Sequence, residues 1–440
     1  MGFKDTWTKE DYNWDYFRDG FKHEHSPRHM FGQDGCDFQE RINWARMRDY
    51  RYGRLQKFMK KYGAAALLLN IGDNIRYANG TWDYAWKGNN GTRYSLCFQD
   101  EPCYFFDTVG MDMEVTRMHC PWIPEDRLDT AITYRYAVGG YADVCKRYWE
   151  QIISVCKANG VDITKEKIAI DVIDITAYEI GRSMGIQIIP GAEIINQARY
   201  VKNADELECL KIAAAISDMA YWKIKTEYAK PGVREREVLG KMTDFLYQAG
   251  AQYAWGTNVA SGGNTNPYIR AFTDKLIRQG DMLTLDINSN SYYGYVQCTA
   301  RSWVIEQKMT PKQIDCYKRC FEMLQASIDV IKAGVPTSEI VKKWPKYYDD
   351  THKTCTLVQF GHTIGLGLYE GFWMSQGFTP DYPVELEENM YLAIETYASD
   401  GPGGSFGVRL EDNLVVTKDG YQMFSLFPYE EEAVGFIERG

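Results

Sequence analysis

Four residues in the later part of the chain have the side chains of a metal or acid–base centre. They are Asp286 in "LTLDIN", His362 in "GHTIGLG", Glu395 in "YLAIETYA" and Glu411 in "VRLEDNLVVT". Hard divalent ions prefer carboxylate oxygen and imidazole nitrogen, and a pair of ions needs carboxylates able to bridge them. A single charged residue beside a strand is ordinarily solvated or salt-bridged, so the weight rests on the set. Each of the four lies in a strand-like run or a glycine-rich turn that can fix its direction.

The elements that must position them follow from periodicity. Asn203 and Glu206, three residues apart, form a capping-box pattern that opens a long amphipathic helix stopped by Pro231 and Gly232. A second helix is expected over "REREVLGKMTDFLYQAG", and Thr310, Pro311 and Gln313 start another. Strand-like segments between and after these helices carry the chemical candidates. The first part of the chain reads differently. A helix over residues 38 to 63, closed by Gly63, leads into the buried-strand run "AAALLLN"; the strands of "YSLCFQDEPCYFF", a helix near 140 to 158, "KIAIDV" and "GIQIIPG" follow. This alternation predicts an α/β domain over residues 1–195, with an aromatic leader, and a second domain over 196–440.

Composition bounds the function. The 440 residues carry 25% charged and 45% hydrophobic side chains and a net charge of -10 with no basic stripe, which excludes nucleic acid as the main partner. No apolar run is long enough to span a membrane and the start is not signal-like, so a cytoplasmic protein is expected. Eleven cysteines without regular spacing read as reduced thiols, and Cys316 with Cys320 as helix packing. Aromatics reach 14%, and "TWDYAWKGNNGTRY" concentrates them. They serve either a subunit interface or an aromatic cage for a cationic small molecule.

The order of "KNADELECLKIAAAISD", "KPGVREREV", "LTLDIN", "GHTIGLG", "YLAIETYA" and "VRLEDNLVVTKDGY" resembles the pita-bread family of methionine aminopeptidase, aminopeptidase P, prolidase and creatinase. "AAALLLNIGDNIRYANG" looks like the smaller N-terminal domain of its creatinase and prolidase branch. The resemblance implies an α/β N-terminal creatinase-like domain followed by an α+β pita-bread catalytic domain. Residues 46–81, "ASGGNTNPYIRAF" and the leader further resemble the dimethylsulfoniopropionate lyases built on this fold. That likeness implies a homodimer and cleavage of a sulfonium substrate to dimethyl sulfide and acrylate.

Carried over by motif, Asp286, His362, Glu395 and Glu411 match family metal ligands, while Asn288 and Cys298 stand where the lyase and the family, respectively, have aspartates. A neutral amide and a thiol bind hard ions poorly, so no binuclear centre is expected, only one weakly held divalent ion or none. Cys298 as thiolate would suit a softer ion. Peptidase histidines are missing, since the second half has only His352 and His362, and Tyr369 occupies the region of a family histidine or acidic base. Peptidase activity is therefore disfavoured.

For β-elimination, Tyr369 is the candidate base, with Glu370 and His362 as rivals and Glu395 and Glu411 as further catalytic candidates. Trp82, Tyr84, Trp86 and Tyr268 are candidates for a cage around an onium group. Arg301 either reaches a substrate carboxylate or pairs with Glu395 or Glu411. The expectation is a carbon–sulfur lyase acting on a small onium carboxylate. The alternatives are a metal-independent, creatinase-like C–N hydrolase on a guanidino or quaternary ammonium compound, an Xaa-Pro dipeptidase-like hydrolase, and a binding protein without catalysis.

Overall fold

The computed structural model describes residues 42–82, 91–344 and 360–438, which form two compact units divided between Arg199 and Tyr200. Tyr84, Trp86, His352 and the aromatic leader lie outside the described residues. Among the described residues no helix is long and apolar enough to cross a membrane, and the described cysteines are free thiols.

In the first unit, α1 (Trp44–Tyr62) starts at Asn43, whose side chain accepts from the Arg46 amide. It ends at Gly63 in the left-handed conformation, as the sequence suggests. β1 (Ala66–Leu69), α2 (Gly72–Asn79), β2 (Tyr94–Phe98) and β3 (Tyr104–Asp107) follow, then α3 (Met111–His119) and β4 (Leu128–Thr130). α4 (Tyr141–Ala158), β5 (Lys167–Ile170), α5 (Ile175–Ser183), β6 (Gln187–Pro190) and α6 (Ala192–Arg199) complete the unit. Six strands form one mixed sheet in the order β4-β3-β2-β1-β5-β6. Trp149 of α4 packs so closely on α5 that a Cβ at Gly181 would meet its ring at 2.7 Å. Its indole also donates to the Ala177 carbonyl at 2.8 Å. The unit ends with α6, four residues past 195.

The second unit opens with α7 (Ala204–Lys223), held by the Asn203–Glu206 capping box, and continues as a π-helical turn, Ile224–Tyr228, instead of α-helix up to Pro231. α8 (Glu235–Gln248) follows. β7 (Asn258–Ser261), β8 (Met282–Tyr292) and β9 (Tyr295–Val304) precede α9 (Pro311–Ile328), capped by Thr310 and Gln313. After α10 (Thr337–Lys343) come β10 (Gly361–Thr363), β11 (Trp373–Met374), β12 (Tyr391–Ser399), β13 (Gly407–Val416), β14 (Tyr421–Met423) and α11 (Glu431–Val434). The strands make an eight-stranded sheet in the order β11-β10-β12-β13-β9-β8-β7, with β14 beside β13. One sheet face buries Leu392, Ile394, Leu410 and Leu414 against α9, where Cys316 and Cys320 are packing residues. Side chains alternate across a strand, so the residues one position along face the other way.

Candidate active site

Strand register assembles the site in two rows. Asn258, Asp286, Ala300, Glu411 and Glu395 are successive cross-strand neighbours on β7, β8, β9, β13 and β12. Two residues along, Asn288 faces Cys298, and His362 on β10 faces Ala393 on β12. The period of two puts both rows on one face, and Ala300, at the centre, projects only a methyl group among carboxylates. Asn413 clamps the second row: its side chain accepts from the Cys298 amide at 3.0 Å and donates to the Cys298 carbonyl at 2.7 Å.

Arg409 shares the face of Glu411, two residues away on β13. Its guanidinium makes a very short ion pair with Glu395 and lies 3.6 Å from Asp286 and 3.9 Å from Glu411. Asp286 also accepts from the Tyr268 hydroxyl at 3.0 Å and from the Asn258 amide at 3.2 Å. Burial raises Asp286 to about 6, opposed by Arg409 and reinforced by the Glu411 charge. Burial also pushes Glu411 upward, but His362 and Arg409 outweigh it and hold this carboxyl below its ordinary range.

His362 is fully buried and its Nδ1 faces the Thr363 carbonyl at 3.1 Å. A carbonyl only accepts, so Nδ1 carries a proton there, and Nε2 lies 3.8 Å from a Glu411 carboxylate oxygen. Among the described residues, His362 Nε2 and both Glu411 carboxylate oxygens are buried without a hydrogen-bond partner. One donor atom from each of Cys298, His362 and Glu411 lies within 4.8 Å of the others. This donor set fits a single divalent ion. A pair of ions fits poorly, because Asn288 is neutral and the Arg409 guanidinium already sits against Asp286 and Glu395.

The rows open into a cleft of about 160 Å³ whose lining includes Asp286, Cys298, Tyr369, Glu395, Arg409 and Arg270. Tyr369 is 45% exposed there, and its ring meets His362 edge-on at 4.8 Å and Trp373 at 5.1 Å. The predicted quartet, Asp286, His362, Glu395 and Glu411, thus converges with Tyr369, Asn288, Cys298 and Tyr268.

Three expectations need correction. Arg301 does not line the cleft or pair with the Glu395 or Glu411 side chains; it is buried on Asp412 at 2.6 Å and on the Glu411 and Phe427 carbonyls. The reason is parity, since Arg301 follows the site-facing Ala300 and Asp412 follows the site-facing Glu411. Glu370 is committed to a buried ion pair with Lys202 at 2.5 Å, which removes it as a base. The cage also changes: Arg409 stands 5.3 Å from the Tyr268 ring centre, and Arg76 5.4 Å from that of Trp82, so protein cations already take these faces.

Sequence reasoning missed Arg409, Asn258 and Arg270. Arg409 was detectable, because "VRLED" places it one strand period before Glu411. Arg270 had no such signal, since it belongs to an irregular segment.

Residues 208–418, most of the second unit, match the model of metallopeptidase family M24, the pita-bread peptidases. Among similar proteins is the dimethylsulfoniopropionate lyase DddP of Roseobacter denitrificans, 23% identical over 406 residues, covering 89% of this chain and 88% of the relative. The Xaa-Pro dipeptidase of Pyrococcus furiosus is 27% identical over 232 residues, 52% of this chain and 64% of that protein. The solved Xaa-Pro dipeptidase of Bacillus anthracis superposes with a TM-score of 0.69 at 22% identity, covering 86% of this chain and 98% of that one. The fold is therefore the α/β domain plus pita-bread domain expected, and the relatives are enzymes of both lyase and peptidase type.

Proposed function

We propose that the protein is a carbon–sulfur lyase that cleaves a small onium carboxylate, with dimethylsulfoniopropionate the first candidate. The observation that carries this reading is the size and mixed charge of the cleft. At about 160 Å³ it is well below the volume used for drug-sized ligands, and it presents Arg270 and Arg409 beside Asp286 and Glu395. A zwitterion of a few heavy atoms matches such a surface, and the DddP relatives are named for one.

In this reading Arg270, exposed at the cleft, takes the substrate carboxylate, and Asp286 and Glu395 face the onium group. Tyr369, as the phenolate, accepts the proton from the carbon next to the carboxylate and becomes the phenol. The electrons of that C–H bond form the new C=C bond, the C–S bond breaks, and its pair leaves on the neutral sulfide. The base must be desolvated and close, and the cations of the cleft stabilise charge that develops on the carboxylate. A divalent ion held by His362 and Glu411 would add a further positive charge at that point. It is expected to be at most one and weakly held.

A second reading, hydrolysis of a C–N bond in a guanidino compound, a quaternary ammonium compound or a dipeptide, is favoured by one observation. The buried His362–Glu411 pair can hold and move a proton within the cleft, and peptidases are among the relatives. Headspace assay of dimethyl sulfide from purified protein and substrate decides between them. Sulfide release supports the lyase, whereas its absence with clear C–N cleavage moves the assignment to the hydrolase. The acting form is proposed to be a homodimer in the cytoplasm, for which light scattering gives the subunit count.

A further inference from the structure

Cys298 replaces a hard oxygen donor with sulfur at the centre of the site. Its Sγ, His362 Nε2 and a Glu411 oxygen supply three different donor types within 4.8 Å of one another. All three residues are buried, and among the described residues the nitrogen and both carboxylate oxygens have no hydrogen-bond partner. The Thr363 carbonyl holds the Nδ1 proton, so Nε2 is the ring nitrogen that offers its lone pair to an ion, the outer-shell arrangement typical of ligating histidines. The thiol itself donates to the Asn288 amide oxygen at 2.6 Å, and Asn288 is in turn tied to the Gly256 carbonyl at 2.9 Å, so the sulfur is aimed by its neighbour.

We propose that Cys298, His362 and Glu411 form a single-ion, sulfur-ligated centre that prefers a borderline divalent cation such as Zn2+, Co2+ or Fe2+ over Mg2+, Ca2+ or Mn2+. Arg409 disfavours a second ion by setting its own positive charge against Asp286 and Glu395. Three protein ligands of mixed sulfur, nitrogen and oxygen type leave a coordination position open, as in catalytic rather than structural zinc sites. Thiolate selects against the hard ions that carboxylate-only sites take. On binding, the thiol proton leaves to solvent, and no oxidant or reductant is involved. The assignment does not depend on the lyase reading, because it concerns the ligands and not the substrate.

The test uses the full chain, freed of metal with a chelator and titrated anaerobically with Co2+. The expected result is one equivalent bound, with a near-ultraviolet sulfur-to-cobalt charge-transfer band. That band is lost in Cys298→Ser, and binding is lost in His362→Ala, while circular dichroism shows both variants folded. Should Cys298→Ser fail to fold, Cys298→Ala and X-ray absorption on the unaltered cobalt protein read the same sulfur. Bound cobalt without the band, a band that survives in Cys298→Ser, two equivalents, or no binding would each overturn the assignment. A protein with the band and no sulfide release loses only the lyase reading, and one that releases sulfide without the band loses only this one.

Discussion

Cys298 and Asn288 face each other across β9 and β8, and the thiol donates to the amide oxygen at 2.6 Å. Two residues that are neutral as side chains thereby satisfy one another at a place where two carboxylates would repel. Burial first, and then the charges of Glu411, Asp286 and Glu395, push the Cys298 thiol well above its ordinary range. Without an ion the sulfur therefore stays protonated and is a hydrogen-bond donor, not a nucleophile.

Tyr369→Phe keeps the ring that meets His362 and Trp373 but removes the proton acceptor. If Tyr369 is the base, kcat falls by about 10²- to 10⁴-fold with KM little changed. Steady-state kinetics on the substrate that proves active check it, and a variant with near-normal kcat would rule this base out.

Arg270→Ala is expected to raise KM for an onium carboxylate far more than it lowers kcat, because it removes binding shared by ground and transition states. An amide analogue lacking the carboxylate should be indifferent to the change. Equal losses on both compounds would show that Arg270 does not hold the carboxylate.

Arg409→Met leaves Asp286, Glu395 and Glu411 buried together without their cation. Breaking such a buried cluster from one side costs about 3–5 kcal/mol. Urea unfolding measures it, and adding Glu395→Gln to Arg409→Met should recover part of the loss. A stability change within experimental error would mean that the cluster neutralises itself by protonation.

Asp174 caps α5, accepting from the Thr176 amide at 2.9 Å. Partial burial pushes its carboxyl up, but the Tyr141 hydroxyl and the helix amides outweigh this and leave it below its ordinary range. A depressed carboxyl contributes stability above its unfolded pKa, about 3.9, and loses it as pH falls through the lower folded value. Asp174→Ala should therefore cost about 1 kcal/mol at neutral pH and progressively less in acid, by paired denaturation curves.

Local features were legible because they depend on neighbours in sequence. The Asn203–Glu206 and Thr310–Gln313 boxes and the glycine at 63 are each complete within a few residues. The four site residues were recognisable by type, yet their convergence depends on the register of strands far apart in the chain, which no local pattern specifies. Arg301 was misread although the pattern contained the answer, since its neighbour Ala300 shares a row with Glu411 and so turns Arg301 to the other face. Glu370 was misread for a different reason. Its partner Lys202 lies 168 positions away in the chain, and only tertiary structure brings the two together.

The two rows have a consequence for how this protein tolerates change. Every site side chain except Tyr369 and the residues of the irregular segments is held by strand parity, so composition and length act on the site in unlike ways. Exchanging one side chain alters one donor and leaves the others aimed. Adding or deleting one residue inside β8, β9, β12 or β13 instead turns everything beyond it to the opposite face. Near Asp286, Cys298, Glu395 or Glu411 this would replace a polar notch by leucine and isoleucine and place charges in the layer under α9. The lineage of such a site can drift in chemistry while its strand lengths stay frozen, and insertions should be confined to the loops between them.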